Sequence, residues 1–296
     1  MSTEQTSGQV AVITGASSGI GAATARALAG HGYNLALLGR RLDRIEALAA
    51  ELGDSAIAIA ADVADRDSLV TAANRVQVEL GGADVLINNA GVMLLAPFSS
   101  EQRHELRQMV EVNLLGAMTA TEVFLDQLRN GGGDLINISS VAGRTARAGN
   151  SGYAATKWGM NGWSEALRQE LQPDIRVSVI EPGAVATELT DHITDPAAKQ
   201  GAEQLYQQLA ITAEDVAEVI AFAVTRPRRM NAERDPPPTH RANRLISQQQ
   251  KRCAGRSPAS PPGGLTPRLP RTGRRGLRPA GRNRDHCYGN GDQAQP

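Results

Sequence analysis

Six short apolar runs alternate with longer stretches of helical spacing, and this alternation restricts the chain to very few folds. The runs are QVAVIT (9–14), NLALL (34–38), AIAIA (56–60), DVLIN (84–88), DLINIS (134–139) and RVSVIE (176–181). Each is apolar at consecutive positions, as strands covered on both faces must be. Between them lie IGAATARALAG, RLDRIEALAAEL, RDSLVTAANRVQVEL and two longer segments near 101–129 and 152–171. Parallel neighbours need crossovers of about a dozen residues or more, normally right-handed and usually helical. The pattern predicts an α/β fold with a parallel sheet between two helical layers. An all-helical chain leaves the glycine-bounded Val/Ile clusters without a reason.

Beyond Glu181 the alternation loosens. Residues 182–210 begin with a turn and end in a possible helix, a length that predicts a flap over a site. TAEDVAEVIAFAVT (212–225) reads as a last helix, with Thr212 as its cap and Asp215 completing a capping box. From residue 231 the chain is rich in Arg, Pro and Gly without a sustained apolar period, so residues 1–230 are expected to be the folded domain and 231–296 a disordered tail. The charge divides in the same place. Residues 1–235 carry 19 basic and 29 acidic side chains, whereas the remainder carries 12 basic and two acidic ones. Both cysteines, Cys253 and Cys287, lie in the basic part, so residues 1–235 can form no internal disulfide. There is no basic-then-apolar leader and no apolar run of the roughly 20 residues that span a bilayer, which predicts a cytoplasmic protein.

Two short stretches carry the chemistry. TGASSGIG follows the first strand and places Gly15, Gly19 and Gly21 at a strand-to-helix turn. Glycine allows close backbone approach there, and a helix N-terminus favours a phosphate. The spacing differs from GxGxxG, and small residues also mark ordinary tight turns. SGYAATKWG (151–159) sets Tyr153 and Lys157 four residues apart, on one face of a helix. Tyr153 can exchange a proton with a carbonyl or alcohol if its pKa falls below the usual ~10, and a lysine ammonium favours the phenolate. Taken alone, the pair reads more readily as a half-buried aromatic beside an extended lysine.

These motifs, with NNAG (88–91), Asn113 in EVNLLG, Ser139 in NISS and EPG (181–183), occur in the order and spacing of the short-chain dehydrogenase/reductase family. The resemblance covers residues 8–230. It implies a Rossmann-type doubly wound sheet, NADP(H) or NAD(H) as cofactor and a small-molecule carbonyl or alcohol substrate. The stretch from ATELTDHIT to FAVTRP most resembles bacterial NADP-dependent reductases of small polar aldehydes and related hydroxy-acid or sugar-alcohol dehydrogenases. By resemblance the catalytic set is Asn113, Ser139, Tyr153 and Lys157. Ser139 would orient the substrate oxygen, Asn113 would support a water relay to Lys157, and Lys157 would also hold the nicotinamide ribose. Ser139 could instead cap a turn, Ser140 is an adjacent alternative, and Asn113 could serve a bent helix. The implied dinucleotide wall is Gly15, Ser17, Ser18, Gly19, Ile20, Gly21, Arg40, Arg41, Asp62, Val63, Asn89, Ala90, Gly91, Pro182, Gly183, Val185 and Thr187, with Tyr153 and Lys157. Asp62 and Val63 would border the adenine.

The second strand ends in LLGRR, with Gly39 where a ribose-binding carboxylate would stand and Arg40 next. A missing acid beside an arginine favours a 2′-phosphate, hence NADP(H), while Arg41 could simply begin a solvated helix. Other residues stay open. His192 could touch substrate or face solvent. Met93, Leu94 and Leu95 could line the cleft or pack a helix. Arg144 and Arg147 could receive an acidic substrate or form rim salt bridges. No metal is required by this chemistry.

The resemblance stops near Ala232, where relatives continue into one more edge strand that helps build a homo-oligomer. This chain has NAERDPPPTHR instead. Codons compatible with Glu233–Arg241, read in a shifted frame, give Glu-Ile-Leu-Leu-Arg-Pro-Thr, the kind of strand that is missing. The tail is therefore expected to be a frameshift product, with weakened oligomerisation. Two other functions follow from the sequence: a dinucleotide-binding scaffold without turnover, and nucleic-acid contact through the basic tail. The tail has one aromatic residue, Tyr288, and no folded nucleic-acid motif, so no specific nucleic acid is expected.

Overall fold

The computed structural model describes residues 8–227. The expected tail, both cysteines and the break near Ala232 lie outside the described residues. Within them are six strands: β1 (Val10–Thr14), β2 (Asn34–Gly39), β3 (Ala56–Ala60), β4 (Val85–Asn88), β5 (Gly133–Ile138) and β6 (Ile175–Ile180). They form one sheet in the order β3-β2-β1-β4-β5-β6, and every pairing is parallel. The connecting helices are α1 (Gly19–Gly30), α2 (Leu42–Leu52), α3 (Arg66–Leu80), α4 (Arg103–Met109), α5 (Gly116–Arg129) and α6 (Ser151–Leu171). Two more follow β6, α7 (Pro196–Leu209) and α8 (Ala213–Thr225).

Continuous apolar strands arise because both faces are covered. Ala11 and Ile13 of β1, with Leu35 and Leu37 of β2, pack under Leu28 of α1 and Ile220 of α8. Their neighbours Val10, Val12, Ala36 and Leu38 turn the other way and meet Leu69 of α3 and Phe124 of α5. The period-2 pleat thus feeds two cores from one strand. Thr212 and Asp215 form the expected capping box at the start of α8. Inside the sheet's second half, Asn88 donates to Thr121 Oγ1 and Asn137 Oδ1 at 2.9 Å, and Asn137 donates to Ser164 at 2.8 Å. This buried polar chain ties β4 and β5 to α5 and α6.

The strand order reverses between β1 and β4. A crevice therefore opens beyond their C-terminal ends, the position where ligands bind in open α/β sheets. Two local features shape its walls. The 101–129 segment is not one helix: a π-helical turn, Val110–Leu115, separates α4 from α5. The expected flap is pinned at its base, where Ala186 N–H donates to Ile211 O and Ile211 N–H donates to Ala184 O. It carries a short helical turn, Glu188–His192, and then α7. No helix among the described residues is long and apolar enough to cross a membrane.

Candidate active site

The crevice begins at the glycine turn. Gly15 has φ +67°, and a Cβ there would lie 2.8 Å from Ala90 Cα, so both conformation and space demand glycine. A Cβ at Gly21 would sit 2.5 Å from Gly15 O, so this residue keeps α1 close behind the turn. Thr14 and Asn89 hold the turn against the end of β4. Thr14 Oγ1 accepts from Asn89 N–H (3.0 Å) and Ala90 N–H (3.1 Å), and Asn89 Nδ2 donates to Thr14 O (3.0 Å) and Gly15 O (3.2 Å). The chain at the switch point is thereby fixed on both sides.

Beside the turn, Arg41 does more than begin a solvated helix. Its guanidinium donates to Ser17 Oγ at 2.8 Å and Ser18 Oγ at 2.7 Å. It also meets Glu188 at 2.8 Å, and Arg44 meets the same carboxylate at 2.7 Å. The two guanidinium groups pull the Glu188 pKa down to about 2, Arg41 contributing most. Arg40 faces the cavity and makes no side-chain hydrogen bond among the described residues. Asp62 turns inward on its own loop, accepting from Ala64 N–H at 3.0 Å.

A cavity of about 870 Å³ extends from this turn to α7. At its centre Tyr153 and Lys157 share a face of α6, and Lys157 Nζ lies 5.7 Å from the Tyr153 ring centre. Lys157 donates to Ile138 O at 2.7 Å, and burial lowers its pKa to about 8. Burial raises the Tyr153 phenol, opposite to the direction expected from the sequence. A hydrogen bond with Ser140 offsets part of that rise, and Tyr206 of α7 adds slightly to it.

The serine differs from the sequence expectation. Ser139 is buried, and its hydroxyl donates back to Lys157 O at 3.3 Å. Ser140, the alternative, accepts from Ala142 N–H at 3.1 Å and donates to Pro182 O at 3.4 Å, and it stands near enough to the Tyr153 phenol to lower its pKa. Successive residues of extended backbone face opposite sides, so only one of the two can meet the phenol. Asn113 serves the bent helix, one of the two roles its sequence position left open. Its amide lies inside the π turn, accepts from Val92 N–H (2.8 Å), and donates to Val92 O (2.9 Å) and Thr156 Oγ1 (3.2 Å). The side chain clamps the loop after β4 and makes no hydrogen bond to Lys157.

With the geometry in place, comparison with known proteins is decisive. The sequence profile for short chain dehydrogenase matches residues 9–198. The chain belongs to the short-chain dehydrogenase family. An uncharacterized oxidoreductase of Staphylococcus saprophyticus is 38% identical over 224 residues, 74% of this chain and 91% of that protein. A serine 3-dehydrogenase of Agrobacterium fabrum is 35% identical over 74% of this chain and 89% of its own length. Among solved structures, the closed form of a serine dehydrogenase complexed with NADP+ superposes with TM-score 0.70 at 31% identity, covering 75% of this chain and 92% of that one. An alcohol dehydrogenase of Thermococcus sibiricus complexed with 5-hydroxy-NADP gives TM-score 0.67 at 30% identity, covering 77% and 99%.

In this dehydrogenase every residue expected at the site lines the cavity except Gly21 and Asn113, which act from behind its wall. Met93 lines the cleft and also packs on Met109, Leu95 lines it, and Leu94 is buried in the adjoining apolar cluster. Arg144 forms a rim ion pair with Glu181 at 2.8 Å, whereas Arg147 and His192 line the cavity. Glu188 and Tyr206 are additions that sequence reasoning did not single out. Their signal is tertiary: they come from the segment after β6 and meet partners far away in the chain.

Proposed function

We propose that this dehydrogenase interconverts a small polar carbonyl compound and its alcohol, using NADP(H) in preference to NAD(H). The reading is carried by Tyr153, Ser140 and Lys157, which converge on a cavity whose other end is the glycine turn. The residues fit a dinucleotide. Gly15 and Gly21 leave no room for side chains where the backbone must come close, and the N-terminus of α1 faces the cleft. Gly39 supplies no carboxylate to repel a 2′-phosphate, and Arg40 keeps its donors free among the described residues. Relatives were solved with NADP+ and 5-hydroxy-NADP and another with NADH, so the preference rests on Gly39 and Arg40.

Bound NADPH would supply the hydride. The chain supplies the proton and the polar environment. A buried phenol with a raised pKa stays protonated at neutral pH, which suits donation to a carbonyl oxygen. Ser140 stands beside the phenol to polarise that oxygen, and the Lys157 ammonium stabilises negative charge left on Tyr153. Alcohol oxidation needs the deprotonated phenol, so alkaline pH favours the reverse reaction.

The assignment is tested by kinetics with both cofactors on a panel of small aldehydes and ketones. Wild type should prefer NADPH, and Arg40→Asp should reduce that preference. Tyr153→Phe should lower kcat by at least about 10²-fold with little change in NADPH affinity. Ser140→Ala should lower kcat by roughly 10-fold or more, and Ser139→Ala by much less. Preference for NADH, or full turnover by Tyr153→Phe, overturns the reading; cofactor binding without turnover on any substrate makes the protein a scaffold.

A further inference from the structure

We infer that Arg147 forms an anion-receiving subsite, so that the substrate is a small oxo acid and its hydroxy-acid product. This rests on the proposed carbonyl reduction and narrows it to one chemical class. Two arginines follow the Ser139–Ser140 pair, and the structure separates them. Arg144 is neutralised by Glu181, 2.8 Å away, and Asn161 braces the same carboxylate at 2.5 Å. Arg147 lines the cavity and has no ion pair or side-chain hydrogen bond among the described residues.

The loop holding Arg147 is fixed by its backbone. Arg147 N–H donates to Asn150 Oδ1 at 2.8 Å, Asn150 N–H returns to Arg147 O at 3.2 Å, and Ala96 N–H donates to Gly149 O at 3.0 Å. These bonds position the residue and leave its guanidinium unused. No carboxylate opposes it in the substrate half. The acids lining the cavity are Asp62 and Glu188, and both are engaged elsewhere, Asp62 by Ala64 N–H and Glu188 by Arg41 and Arg44. The remaining wall there is largely apolar, drawn from Met93, Leu95, Ala202, Leu205 and Leu209, with His192 as a second basic group. Arg147 is itself exposed at the rim of the cavity, so its guanidinium offers a carboxylate a planar, two-pronged partner with no competing acid beside it. The apolar wall beside it suits the carbon skeleton of such an acid.

The test compares a short oxo acid with its methyl ester, both reduced with NADPH, in wild type, Arg147→Gln, Arg147→Lys and Arg144→Gln. Wild type should favour the acid by roughly tenfold or more in kcat/KM. Arg147→Gln should erase that preference mainly through KM while still reducing the ester, Arg147→Lys should restore part of it, and Arg144→Gln should keep it. A short saturated carboxylic acid should compete with substrate in wild type, and its inhibition constant should rise about as much in Arg147→Gln. Retained acid preference in Arg147→Gln, or equal loss of acid and ester reduction, overturns the subsite. If wild type reduces neither compound, nor any other on the carbonyl panel, the proposed function itself fails. Ester reduction without acid preference removes the subsite alone.

Discussion

Lys157 shows the conflict between function and stability at a single residue. Its ammonium is buried, donates to Ile138 O at 2.7 Å, and pairs with no carboxylate among the described residues. Burial lowers its pKa from 10.5 to about 8, so between those values the folded protein holds fewer protons than the unfolded chain. Stability therefore rises with pH across that window, and below about pH 8 the charged lysine exerts its full penalty. A shift of this size corresponds to about 3 kcal/mol, of which losing the bond to Ile138 would return about 1 kcal/mol. Lys157→Met keeps the stem and removes the charge. At pH 7 it should be about 2 kcal/mol more stable than wild type in urea unfolding, and the advantage should shrink towards pH 10.5, while reduction is lost. Equal stability of the two proteins at pH 7 would show that the buried charge is not destabilising.

At the scale of elements, three segments meet around one carboxylate. Glu188, at the start of the turn after β6, holds Arg41 and Arg44 at the start of α2, and Arg41 continues to Ser17 and Ser18 of the glycine turn. With a pKa near 2, Glu188 contributes fully above the ordinary carboxylate range, and that contribution is lost only as pH falls towards 2. The side chains are about two-fifths exposed, so each pair is worth at most about 1 kcal/mol. Glu188→Gln should therefore speed NADPH release by roughly two- to fivefold in stopped-flow fluorescence. Release at the wild-type rate would mean the clasp does not retain cofactor. This clasp was not legible in the sequence, because 147 positions separate Arg41 from Glu188. The strands were legible to within a residue or two, since a sheet buried on both faces marks itself by continuous apolar runs. The choice between Ser139 and Ser140 was not, because a one-residue slip in extended chain reverses facing. Asn113 lay in the right segment, but the π turn that directs its amide to Val92 has no signal in apolar spacing.

Across the whole molecule, the cavity lies where the two halves of the sheet diverge, so one ligand touches both. Gly15 follows β1, Asn89 to Gly91 follow β4, and Pro182 and Gly183 lie beyond β6. Binding at such a place stabilises the native state as a unit, because the unfolded chain has no assembled cleft. The surrounding charge makes the cofactor comparison informative. Residues 1–235 carry ten more acids than bases and the remainder ten more bases than acids, so the formal net charge of +0 gives no long-range preference for the more anionic NADPH. A preference for NADPH must then come from the local guanidinium groups at the end of β2, where Arg40 is free of partners among the described residues. If that local term gives a tenfold affinity difference, equal saturating cofactor concentrations yield about 1.4 kcal/mol of extra stability with NADPH. For a domain of this size that is a Tm difference of about 3–6 °C in thermal unfolding. The difference should persist at moderate salt, where long-range charge effects are screened, and should vanish or reverse in Arg40→Asp. A Tm rise with NADH equal to that with NADPH in wild type would place cofactor choice outside the arginine end of the cleft.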